Sequence, residues 1–93
     1  MNKITHLDIL NAIQFATSNQ EIFREINRRD EDRNLDCNNI NCKIISGIGN
    51  PIKLFEVIFN YAFVQGPDRR GEDIVVHVES NRDALRIREW HNQ

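Results

Sequence analysis

The sequence predicts an all-α fold, a small bundle of short helices around an apolar helix over 51–65. Three observations predict it. Thr5-His-Leu-Asp8 and Ser18-Asn-Gln-Glu21 both have the form of a capping box, in which a hydroxyl accepts from an early helical N–H and an acidic residue three positions later reaches back. Phe55, Phe59 and Phe63 recur every four residues, beside a row of Leu54, Ile58 and Ala62 and another of Val57, Tyr61 and Val64. Asn50-Pro51 is a strong start for that run, because Asn caps well and Pro tolerates the first helical position, and Gly66-Pro67 stops it.

The first box opens a helix over 5–17, with Leu7, Leu10 and Ile13 as its stripe and Ile9, Ile13 and Ala16 one row over. The second opens a helix over 19–29, where Ile22, Phe23 and Ile26 alternate with Arg24, Glu25 and Arg28 in an amphipathic pattern. Residues 30–41 are acidic and Asn-rich, with few side chains able to offset the entropy of ordering, and read as an exposed loop. Lys43–Ser46 is a short apolar segment leading into Gly47-Ile-Gly-Asn50. In the helix over 51–65 the polar residues Lys53, Glu56 and Asn60 fall on a narrow strip, so other helices are expected around most of it.

Ile74-Val-Val-His-Val78 has the β-branched density of a strand, and with Lys43–Ser46 it could form a parallel β-α-β pair. Two lone parallel strands would leave exposed edges, so residue preferences leave 68–79 open between helix and strand. Ser80-Asn-Arg-Asp83 then opens a last helix carrying Ala84, Leu85, Ile87 and Trp90.

The chain of 93 residues carries 14 acidic and 12 basic side chains, a formal net charge of −2, with 40% hydrophobic residues. Such a length supports one core over 1–93 and no two-domain cleft, which argues against cofactor-wrapping enzyme architectures. The charge lacks the basic excess of a duplex-DNA binder. Met1–Lys3 runs into His6 and Asp8 rather than an apolar signal region, and no apolar run of about 18 residues occurs, so a cytoplasmic, non-membrane protein is expected.

The possible chemical motifs are weak. Asp30-x-Asp32-x-Asn34-x-Asp36 imitates the first half of a calcium loop, yet Leu35 stands where that loop wants glycine and Asn41 where it wants a bidentate glutamate. Cys37 and Cys42 have no second pair to complete a zinc site with His77 or His91, and nothing fixes a Cys–His catalytic geometry. Arg24, Arg28, Arg29 and Arg33 invite a helix-turn-helix reading, but they are interleaved with Glu21, Glu25, Asp30, Glu31 and Asp32 as on a solvated face. Gly47-x-Gly49-Asn50 lacks the lysine of a phosphate loop. No catalytic, cofactor or metal set is therefore expected. Charge clusters remain: Asp30, Glu31 and Asp32 of one sign, and Arg69, Arg70, Arg82, Arg86 and Arg88 of the other, a pattern suited to docking between proteins.

The run Ser46-Gly-Ile-Gly-Asn50, followed by Asn60-Tyr-Ala-Phe-Val-Gln-Gly66, resembles the central motif of the effector-associated domain family, small death-like helical adaptors of bacterial conflict systems. Leu10 to Phe15, Ile22 to Ile26, Asn34-Leu35 and Ile74–Val78 with Glu79-Ser-Asn81 look like the family's remaining helices and junctions. The loop before Gly47 is longer than the family's, and Gly71 with the β-branched run stands where the family has a good helix former. The resemblance tips 68–79 toward helix. It implies a death-like bundle of five to six helices, the alternative being α+β with a short strand at 74–78. It also implies a non-enzymatic adaptor that docks onto a protein bearing a similar domain, itself included, to recruit an effector in defence or signalling. Arg69, Arg70, Asp30, Glu31 and Asp32 are the candidate docking residues. A phage-type inhibitor or immunity protein, binding an enzyme by surface complementarity, is the other expectation.

Overall fold

A computed structural model of the chain describes residues 3–46, 51–64, 72–82 and 84–93. Its order is α1 (His6–Ser18), α2 (Gln20–Asp30), β1 (Leu35–Ser46), β2 (Ile52–Phe63), β3 (Ile74–Asn81) and β4 (Ala84–Asn92). The four strands form one antiparallel sheet in the order β1-β2-β3-β4. The fold is α+β, and this overturns the all-α, death-like bundle.

The two helices lie where the capping signals place them. Thr5 Oγ1 accepts from the Asp8 N–H at 3.2 Å while Asp8 Oδ2 accepts from the Thr5 N–H at 2.8 Å, a reciprocal box. The second cap is Asn19, not Ser18. Asn19 Oδ1 accepts from Glu21 N (3.0 Å) and Ile22 N (3.2 Å), whereas Ser18 Oγ turns back to donate to the Phe15 carbonyl. With one residue between helices, the Ser18 hydroxyl is still in the last turn of α1, where its nearest acceptor is a carbonyl of the preceding turn. The buried residues of α1 are Ala12 and Ala16, with Ile9 and Ile13 packed beside them, while Leu7 and Leu10 are 69% and 58% exposed. Alanines let the helix lie close to the sheet, so the row of Ile9, Ile13 and Ala16 faces the core and the Leu7–Leu10 row does not.

The expected central helix over 51–65 is the strand β2. A spacing of four residues lies near the helical period of 3.6 and is also a multiple of the strand period of 2, so Phe55, Phe59 and Phe63 satisfy both. The residues between them decide. Phe55, Val57, Phe59 and Tyr61 are buried, while Leu54, Glu56, Ile58 and Asn60 on the other side are half-buried. Phe55 pairs with Val78, Val57 with Val76, and Phe59 with Ile74, so two β-branched and aromatic strands cover each other along their length.

Two further readings change for the same reason. Residues 35–41 of the Asn-rich segment expected as a loop form the first half of β1 (Leu35–Ser46), in which only Leu35 is buried. Its order comes from the hydrogen-bonded ladder with β2 rather than from buried side chains. The stretch from Ser80 onward, expected to open a helix, is a hairpin: Asn81 pairs with Ala84, and Arg82 holds φ 57 in the turn. Lys43–Ser46 and Ile74–Val78 are both extended, but β2 lies between them and every pairing is antiparallel, so no parallel β-α-β unit exists. The Gly47–Asn50 turn, the Gly66-Pro67 stop and Arg69-Arg70 lie outside the described residues.

Helix α1 lies against β2, β3 and β4, and α2 against β1. The inner face of the sheet, formed by Phe55, Val57, Phe59, Tyr61, Ile74, Val76 and Val78, meets Ala12, Ala16 and Ile22 to make the core, with Leu85, Ile87 and Trp90 packed at its β4 side. Arg29, 2% exposed, ties α2 to the chain just before β3: its Nε donates to the Glu72 carbonyl at 2.7 Å and its guanidinium pairs with Glu25 of the same helix.

Candidate functional site

The inner apolar row of the sheet continues onto β1, but the helical layer covers it only in part there. Ile40 pairs with Phe59, Cys42 with Val57 and Ile44 with Phe55, so all three stand on the face that carries the core. Yet Ile40 is 51% and Ile44 38% exposed, against complete burial of Phe55 and Val57. Strand β1 is also a sheet edge, with one flank of its backbone unpaired by any described strand. Bulges between Cys37 and Asn39 and between Ile44 and Ser46 bracket a regular stretch over 39–44.

Beside that edge lies an apolar groove of about 200 Å³ between α2 and β1, lined by Ile26, Ile40, Phe59 and Tyr61, with Asp30 and Cys37 at its polar margin. The Tyr61 hydroxyl donates to Asp30 Oδ1 at 3.2 Å, joining the end of α2 to the middle of the sheet. Burial, reinforced by the Asp30 carboxylate, pushes the Tyr61 phenol up to about 12. Burial likewise raises the Cys42 thiol above its ordinary value. Both cysteines are free.

The candidate residues from the sequence distribute unevenly. Asp30 lines the groove, where it serves as acceptor for Tyr61. Glu31 caps α2 and is exposed. Asp32 is a turn former: its Oδ1 accepts from Asn34 N at 2.8 Å and its carbonyl from Leu35 N at 3.2 Å, which turns the chain into β1. Arg69 and Arg70 lie outside the described residues. Arg86 is drawn to Glu79 at 3.0 Å on the neighbouring strand.

The outer face of the sheet carries a charged row, Lys43, Glu56, His77 and Glu89, one residue from each strand in register. His77 Nε2 lies 3.0 Å from Glu56 and Nδ1 2.9 Å from Glu89. Because carboxylates only accept, each contact is a hydrogen bond when the ring nitrogen facing it carries the proton. Cys37 and Cys42 stand on the inner face, so the sheet separates thiols from this imidazole and from His91. Among the described residues no three His, Cys, Asp or Glu side chains gather as a metal-binding set. A wider open hollow of about 310 Å³, lined by Asn11, Gln14, Phe15, Ser18 and Leu85, contains no titratable group.

The residues missed in the sequence are Ile40, Ile44 and Tyr61. The signal for the first two was present: over Asn39-Ile-Asn-Cys-Lys-Ile44 polar and apolar residues alternate, a strand period concealed by the polar composition. No family model, no curated protein and no solved structure matches the chain.

Proposed function

We propose that the chain is a non-enzymatic protein-docking module that joins a second polypeptide by strand addition at β1. One observation carries this reading: the core's apolar row runs out onto an edge strand that the helices cover only in part, leaving the side chains of Ile40 and Ile44 half-exposed beside a backbone flank that no described strand pairs. Strand addition uses these two features, the ladder for affinity and the alternating side chains for specificity. The groove beside the edge, with Ile26, Phe59 and Tyr61 in its wall, offers room for a side chain of the incoming strand. This keeps the docking role implied by the sequence and moves the surface from the charge clusters to the β1 side.

Co-purification of the full chain with the products of its neighbouring genes tests the reading. A complex formed by the wild-type chain and lost with Ile40→Lys is the expected result. Equal capture by the Ile40→Lys variant, or loss only when Arg69 and Arg70 are charge-reversed, would place docking elsewhere.

A further inference from the structure

We infer that the strand received by β1 is β1 of a second copy of this chain, paired antiparallel about a two-fold axis at Cys42. The inference deepens the docking reading and rests on it. The regular part of β1 is self-complementary about that residue: with Cys42 opposite the partner's Cys42, Ile40 meets the partner's Ile44, Ile44 meets the partner's Ile40, and Asn41 meets the partner's Lys43. No like charges stand opposed. The rows of the sheet then run unbroken through the axis. Phe59 and Ile40 continue into the partner's Ile44 and Phe55, and Val57 and Cys42 into the partner's Cys42 and Val57. Each half-exposed isoleucine gains the apolar neighbour that it lacks in one chain.

The other edge of the sheet does not offer this. Strand β4 carries Arg86, Arg88 and Glu89 within nine residues, the charged edge by which sheets resist pairing. Joining β1 of one copy to β4 of the next would also be head-to-tail and would not close, whereas β1 with β1 closes as a dimer. Helix α2 supports the same side. Phe23, 52% exposed, precedes Asp30 by two helical turns and shares its face of α2, the face that borders the groove toward β1. Across the two-fold, this ring and its copy flank the trough over the joined strands.

The experiment uses the purified full chain alone. Sedimentation equilibrium is expected to give a concentration-dependent dimer, and mild oxidation a covalent dimer that Cys42→Ser abolishes and Cys37→Ser preserves. Directly opposed residues of an antiparallel pair lie within the 4.4–6.8 Å Cα separation that a disulfide spans, roughly. Ile40→Lys should weaken the dimer about tenfold or more, by burying a charge at the centre of the interface. Adding Ile44→Glu to that variant sets opposite charges across the axis twice and should restore most of the loss. A chain that stays monomeric at every concentration, a covalent dimer that depends on Cys37 instead, or a dimer indifferent to Ile40→Lys would overturn the inference. A monomeric chain whose complex with another gene product is still lost with Ile40→Lys would overturn self-pairing while leaving docking at β1 in place. Peptide mapping of the oxidised wild-type dimer names the linked cysteine without any substitution in the sheet, so the result holds even if Ile40→Lys perturbs folding.

Discussion

The hydroxyl of Tyr61 donates to the Asp30 carboxylate at 3.2 Å, tying the last residue of α2 to the second strand of the sheet. Asp30, which in the sequence is one of a run of acidic residues, thereby becomes part of a groove wall. Tyr61 is the chain's single tyrosine, so its ionisation can be followed without interference.

Its phenol should stay protonated well past the ordinary value of 10 and ionise near 12, as read by phenolate absorbance. Asp30→Asn should bring it part of the way down, because burial, the larger cause, remains. The linkage sign follows. A folded-state value above the unfolded one means that the native state holds its proton more tightly, so this stability is full below pH 10 and lost as pH rises from 10 toward 12. A tyrosine that titrates near 10 in the folded protein would contradict the burial and the Asp30 contact.

Arg29→Ala should destabilise the fold by about 2–3 kcal/mol in urea unfolding followed by Trp90 fluorescence, because it strips both the Glu72 carbonyl and Glu25 of a buried charged donor. Arg28→Ala is the comparison. That side chain also binds Glu25 at 3.0 Å but lies exposed, so water screens the pair and its loss should cost much less than that of Arg29.

Phe55→Ala and Leu10→Ala separate the observed fold from the helical one. Phe55 is fully buried at the centre of the sheet, and its truncation should cost about 3–5 kcal/mol. Leu10, on the stripe that the helical reading turned inward, should cost less than about 0.5 kcal/mol. Backbone chemical shifts should show 52–63 extended.

Arg82→Gly should raise stability by up to about 1 kcal/mol in thermal unfolding. A residue with a Cβ is strained at positive φ, and glycine is not. Arg82→Val should lower stability, since branching at Cβ worsens the same clash.

The amino-terminal third was legible because its signals are local. The Thr5 box needs only the next three residues, and it forms as read. Beyond Asp30 the same method misassigned 35–41, 52–63 and 84–92, and left 68–79 open, where the alternative of a strand at 74–78 is the one that forms. The phenylalanine spacing of β2 fits two periods, and the alternation in 39–44 was hidden by asparagines. The run at 74–78 has the β-branched density of a strand, but residue preferences left it open and the resemblance tipped it toward helix. Of the candidate site, Asp30 was named for its charge, whereas its role rests on a tyrosine thirty-one residues away.

By itself the sequence determined the two capped helices at its start. Strand against loop for 35–41, strand against helix for 52–63, the sheet order and the half-exposure of Ile40 and Ile44 were decided by tertiary structure. The physical reason is that a strand has no partner of its own: its hydrogen bonds and its buried face are supplied by distant chain, so both its existence and the exposure of its edge depend on which segments pair.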